Sequence, residues 1–194
     1  AWELAGIIPP LPVVSAMTLS LDSPENMAEA ARASAHLPLL KLKVIGGGDL
    51  ERVTAVRSGA PKSRLIVDAN EGWQPEMLDN LLPALAELGV EMVEQPLPAA
   101  CDEALLGREF AIPVCADESC HTRADLDRLQ GRYPMINVKL DKSGGLSEAL
   151  ALTREARARG FRVMVGCMVG SSLSMAPAVL LTSFADYVDL DGPL

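Results

Sequence analysis

Histidine is nearly absent from this 194-residue chain, and the two present, His36 and His121, are too few and too far apart for a histidine zinc site. The four cysteines, Cys101, Cys115, Cys120 and Cys167, form no C-x-x-C pair, and their apolar or helical surroundings predict buried, reduced thiols in a cytoplasmic protein. Basic residues are in the minority, 17 against 26 acidic, so the net charge of −9 argues against nucleic acid or an anionic membrane as a partner. No G-x-G-x-x-G or P-loop fingerprint follows the first strand-like run; Gly46-Gly47-Gly48 stands alone. Ala1-Trp2-Glu3 has neither the basic start nor the apolar run of a signal peptide. The stretch 163–185 lacks charge for long enough to span a bilayer. Gly166, Gly170, Ser171, Ser172 and Pro177 divide it into strand, glycine loop and helix, so no membrane span is expected.

The chain does have the makings of a core: 49% of its residues are hydrophobic and 22% charged, the balance of a soluble globular domain. Short apolar, β-branched runs at 13–19, 39–45, 64–68, 91–95, 114–116, 135–139, 162–165 and 187–189 predict strands. Helical patterns lie between them. Ser23-Pro24 caps and opens one, with proline at the first helical position, where its missing N–H costs nothing. Leu78, Leu81, Leu82, Leu85 and Leu88 form a stripe ended by Gly89, and 146–159 ends on Arg157 and Arg159 before Gly160. Pro83 is the misfit, because inside a helix it costs about 3 kcal/mol; it predicts a kink or a later start. Alternating strands and helices imply an α/β fold with a parallel sheet, and eight strands favour a closed barrel over an open sheet.

Charged residues recur at the carboxyl ends of successive strands: Lys43, Asp68, Glu94, Asp117 and Lys139, at intervals of 25, 26, 23 and 22 residues. Each interval is about one β/α unit, so in a barrel all five reach one mouth. A charge ending a buried strand is costly unless it is paired or binds something. Three carboxylates there suit a hard divalent cation with oxygen ligands, most plausibly Mg²⁺. Two lysines flanking them suit proton abstraction, since a neighbouring cation and a second ammonium would depress a lysine pKa. Lysines on opposite faces of one carbon permit removal of a proton from one side and delivery from the other, which is racemisation or epimerisation.

Lys41-Leu42-Lys43, Asp68-Ala69-Asn70, Glu94-Gln95-Pro96, Ala116-Asp117-Glu118-Ser119 and Lys139-Leu140-Asp141-Lys142 together resemble the signature of the muconate-lactonizing subgroup of the enolase superfamily. The resemblance covers nearly the whole chain and implies a TIM-like (β/α)7β barrel. It also implies Asp68, Glu94 and Asp117 as ligands of one Mg²⁺, Lys43 and Lys139 as the acid/base pair of a 1,1-proton transfer through an enediolate, and Lys41 as neutraliser of the substrate carboxylate. Asn70, Glu118 and Asp141, in the same motifs, are expected to support these residues from behind. Gly166-Cys167-Met168 and Asp189-Leu190-Asp191-Gly192-Pro193 are similar to the dipeptide epimerases of the L-Ala-D/L-Glu type. There the D-x-D pair holds the free ammonium of a dipeptide, and two acids at i and i+2 of a strand do face one side. Cys167 is then expected to pack near the substrate, and Ser15 aligns with a substrate-contacting hydroxyl. This reading makes the chain a cytoplasmic isomerase of cell-wall peptide recycling with a small dipeptide as its partner; a homo-oligomer is compatible with it.

The family's N-terminal capping domain finds no counterpart in these residues, so 1–194 is expected to be a single, incomplete barrel domain truncated at both ends. The alternatives are another member of the subgroup (N-acylamino-acid racemase, o-succinylbenzoate synthase or cycloisomerase) and an inactive barrel fragment acting as a structural module. The D-x-D pair argues against the first; the intact acids and lysines argue against decay of the parent enzyme.

Overall fold

The eight apolar runs form eight strands: β1 (Met17–Leu19), β2 (Leu39–Lys43), β3 (Arg64–Asp68), β4 (Val90–Glu94), β5 (Val114–Ala116), β6 (Met135–Lys139), β7 (Arg162–Gly166) and β8 (Tyr187–Val188). The structure, a computed structural model, describes residues 2–193; Ala1 and Leu194, the two ends of the expected domain, lie outside the described residues. All strands pair in parallel, in the order of the sequence. The helices are α1 (Trp2–Ala5), α2 (Pro24–Ala33), α3 (Asp49–Gly59), α4 (Leu78–Glu87), α5 (Leu126–Leu129), α6 (Leu140–Ser143), α7 (Leu146–Ala158) and α8 (Ser172–Met175).

The sheet is curled. Ala16 donates its N–H to the Val188 carbonyl at 2.8 Å, and Tyr187 of β8 reaches Glu91 of β4 with its hydroxyl at 2.9 Å. Two apolar layers result. The outer one packs helices on the sheet through residues such as Leu42, Val67, Val93 and Leu152. The inner one consists of Ala16, Leu39, Ile66, Met92, Cys115, Met135, Met164 and Tyr187, one residue from each strand or the position just before it.

Several expected boundaries shift. The run 13–19 is a strand only from Met17, and Val13 and Val14 are exposed. The uncharged stretch 163–185 divides into β7, the single turn α8 and a 3₁₀ segment Ala178–Phe184, and no helix among the described residues is long and apolar enough to cross a membrane. Helix α4 starts where its leucine stripe starts, after a 3₁₀ turn at Pro75–Met77, so the later start suggested by Pro83 does not occur. Pro83 sits inside the helix, and the carbonyl its missing N–H would have bonded belongs to Asp79, an exposed residue with access to water. The Ser23 hydroxyl caps α2 by accepting from the Asn26 amide at 3.3 Å.

Candidate active site

Successive residues of a strand alternate faces, so the position two beyond each inner apolar residue also points inward, one layer nearer the carboxyl end. From Leu39 this step reaches Lys41 and then Lys43; from Ile66, Asp68; from Met92, Glu94; from Cys115, Asp117; from Met135, Asn137 and then Lys139; from Tyr187, Asp189 and then Asp191. The residues picked out by spacing therefore stand on an apolar floor. Above it opens a cavity of about 560 Å³ whose lining includes Lys43, Asp117, Lys139, Cys167, Asp189 and Asp191.

The lysines and carboxylates grip one another. The Lys41 ammonium, only 2% exposed, lies 3.0 Å from Asp68, 2.7 Å from Glu94 and 2.7 Å from Asp189. Lys43 bonds Asp68 at 2.7 Å and the Asn70 side-chain oxygen at 2.8 Å. Lys139 bonds one oxygen of Asp117 at 2.6 Å, and Lys142 bonds the other. Glu94 accepts from the Asn137 amide at 2.6 Å. The Gln95 side-chain oxygen takes the N–H groups of Asp117 and Ser119, at 2.8 and 3.1 Å, and so ties the end of β4 to the loop after β5. Asn70 and Gln95 adopt φ of 42° and 34°, left-handed values that non-glycine residues hold only under local constraint.

These charges set the protonation of the site. Burial, then the charge of Asp68, pushes the Glu94 carboxyl up to about 8. Burial opposes ionisation of Asp68 and Asp117 too, but the ammoniums of Lys41 and Lys43 hold Asp68 below the usual range, and those of Lys142 and Lys139 do so for Asp117. Lys139 differs from the sequence-based expectation: burial lowers its pKa, but Asp117 and Glu94 more than reverse that, so it rises above its ordinary value. The expected depression requires a second cation to offset those carboxylates.

Asp68 and Glu94 share one cation position, now taken by the Lys41 ammonium. Asp117 does not join them there, because its oxygens face Lys139 and Lys142, and among the described residues no three acid, histidine or cysteine side chains gather round a single metal-sized point. The expected three-carboxylate cage is thus not preformed. The donor chemistry nevertheless fits a hard cation: the oxygens belong to buried carboxylates, and burial, then the charge of Asp68, raises the Glu94 carboxyl, a shift that a bound cation would oppose.

Other expected residues fall differently. Lys41 is engaged by three acids rather than left free for a substrate carboxylate. Ser15 is exposed and accepts the Leu190 N–H at 2.9 Å; the alternation that turns Ala16 inward also selects Thr18, which lines the cavity and donates its N–H to Asp191 at 2.6 Å. Asp141 is exposed, and its neighbour Lys142 does the supporting work instead. Glu118 lines the cavity and accepts weakly from Asn70 at 3.4 Å. Asp189 has one oxygen on Lys41 and the other buried and, among the described residues, without a partner. All four cysteines are free; Cys101 is exposed, a departure from the expected burial, Cys115 and Cys120 are buried, and Cys167 sits at the cavity wall. Asn137 and Gln95 also serve the site without having been assigned a role from the sequence; strand periodicity, two residues before Lys139, is the signal that marks the first.

Comparison with known proteins follows the same lines. Residues 25–188 match the family described as enolase C-terminal domain-like. An N-acetyl-D-glutamate racemase of a Pseudoalteromonas species is 53% identical over 93% of this chain and 58% of its own length. The L-Ala-D/L-Glu epimerase of Escherichia coli K12 is 48% identical over 98% of this chain and 60% of its own. A crystal structure from Agrobacterium tumefaciens, described as having homology to dipeptide epimerases and holding sodium and L-Ala-L-Glu, superposes with a TM-score of 0.95 at 48% identity, over 98% of this chain and 58% of that one. A dipeptide epimerase from Cytophaga hutchinsonii complexed with Mg and D-Ala-L-Val gives 0.90 at 30% identity, over 99% and 55%. The chain thus spans about 60% of the length of the curated relatives it matches.

Proposed function

The chain belongs to the enolase C-terminal domain-like family, and from that membership we propose that it is the proton-transfer domain of an isomerase that epimerises dipeptides of the L-Ala-D/L-Glu type. The fold is then a closed (β/α)7β barrel, a reading supported by the inner layer with one residue per strand and by the Ala16–Val188 hydrogen bond. Lys43 and Lys139 are the acid/base pair. They end β2 and β6, four apart in the strand order, and both line the cavity; in a closed eight-stranded ring such ends face each other across the mouth, which supports the assignment. One lysine takes the α-proton and the other returns a proton to the opposite face. Asp68, Glu94 and Asp117 would hold one Mg²⁺, which when bound stabilises the negative charge that develops on the substrate carboxylate. Asn70, Asn137 and Lys142 hold these groups in place, while Thr18 fixes Asp191.

The observation that carries the dipeptide reading is Asp189. Its second oxygen is buried and, among the described residues, without a partner; Asp189 and Asp191 both line the cavity, and such an acceptor is costly unless a ligand supplies a donor. The α-ammonium of a dipeptide supplies that donor. A second reading, racemisation of an N-acylated amino acid, is favoured by the 53% identical N-acetyl-D-glutamate racemase. Such a substrate has no ammonium and leaves the aspartates unanswered. In D₂O with Mg²⁺, the full-length protein is expected to exchange the glutamate α-proton of L-Ala-L-Glu, read as loss of its proton NMR signal. Exchange with N-acetylglutamate alone would select the second reading, and exchange with neither would remove both.

A further inference from the structure

The glutamate named for three of the similar proteins carries a second carboxylate, on its side chain. The mouth has little with which to receive it. All four lysine ammoniums there are already held: Lys41 by Asp68, Glu94 and Asp189, Lys43 by Asp68, and Lys139 and Lys142 by Asp117. His121 is different. It lines the cavity, is exposed, and among the described residues hydrogen-bonds only through its backbone N–H, to Asp125 at 2.9 Å.

Hydrogen bonds tie down the loop carrying His121. Asp125 also takes the Thr122 N–H at 2.8 Å, the Cys120 N–H bonds the Asp117 carbonyl at 3.0 Å, and Arg128 holds the Ser119 carbonyl at 2.5 Å. The imidazole is therefore presented from a fixed backbone, so little ordering cost falls on binding. Glu118, three residues before it, accepts weakly from the Asn70 amide at 3.4 Å and makes no hydrogen bond to the imidazole among the described residues.

We propose that His121 recognises the side-chain carboxylate of the substrate, making this chain itself select for an acidic residue at the epimerised position. The inference rests on the dipeptide reading and adds a specificity residue to it. His121 acts as a hydrogen-bond donor to the carboxylate and takes no part in the proton transfer at the α-carbon.

The test compares L-Ala-L-Glu with its neutral isostere L-Ala-L-Gln, using the full-length protein with Mg²⁺ and measuring kcat and KM for each. In His121→Gln the ratio of kcat/KM for the acidic over the neutral peptide should fall roughly tenfold, through KM, as expected for loss of one hydrogen bond to a charged group. His121→Arg should restore the ratio. An unchanged ratio in His121→Gln, or equal losses on both peptides, overturns the proposal. Turnover of neither peptide by the unmodified protein overturns the dipeptide reading and this inference together.

Discussion

Lys139 is 7% exposed and shares Asp117 with Lys142, so removing one ammonium leaves the carboxylate with a partner. That arrangement makes Lys139→Met a clean probe of chemistry: methionine keeps the apolar stem and the other lysine covers the charge. Turnover should fall at least ~10²-fold, the lower end of what a positioned acid or base contributes, while circular dichroism and Tm stay close to the parent. Lys43→Met should do the same from the opposite side. Spacing alone made these two lysines and the three acids legible, because a β/α unit has a narrow range of lengths. Ser15 and Asp141 came instead from the family motif; both are exposed, while Thr18, three residues after Ser15, lines the cavity and Lys142, in helix α6, bonds Asp117.

Helices α2 and α3 meet closely at Gly59, where an added Cβ would lie 2.6 Å from the Ala28 carbonyl oxygen and 3.0 Å from the Ala31 side chain. Two effects compete in Gly59→Ala. Alanine favours a helix over glycine by about 1 kcal/mol, but contact with backbone at that distance forces the helices apart, at a cost of roughly 1–3 kcal/mol. Because the obstacle is backbone and cannot rotate away, overpacking should win, and urea unfolding should show a net loss of stability. A gain would mean that α2 shifts freely. Glycine at the end of a helical pattern is readable as a stop signal, but its role in helix contact is not, because the contact joins helices in different β/α units. Pro83 gives the converse case. The sequence announced a disturbed helix, and exposure of Asp79 lets the helix run through the proline.

Across the whole molecule, the mouth acids balance lysines where a divalent cation is expected to work. If Asp68, Glu94 and Asp117 hold Mg²⁺, the folded state alone binds it. Tm should then rise with Mg²⁺ concentration, by the equivalent of about 2.7 kcal/mol at a hundredfold excess over Kd. Asp68→Asn should abolish the rise in differential scanning calorimetry; an equal rise in the variant would place the ion elsewhere. The sequence by itself determined the alternating α/β order and the charged residues at or near the carboxyl ends of its strands, because strand period and β/α spacing are local properties of the chain. Only the tertiary structure decided which of those charges touch. Curling the sheet lets the Lys41 ammonium, on β2, reach Asp68 of β3, Glu94 of β4 and Asp189 just after β8, residues up to 148 positions away. Charge pairing acts through space, and no periodicity along the chain encodes which lysine will reach which acid.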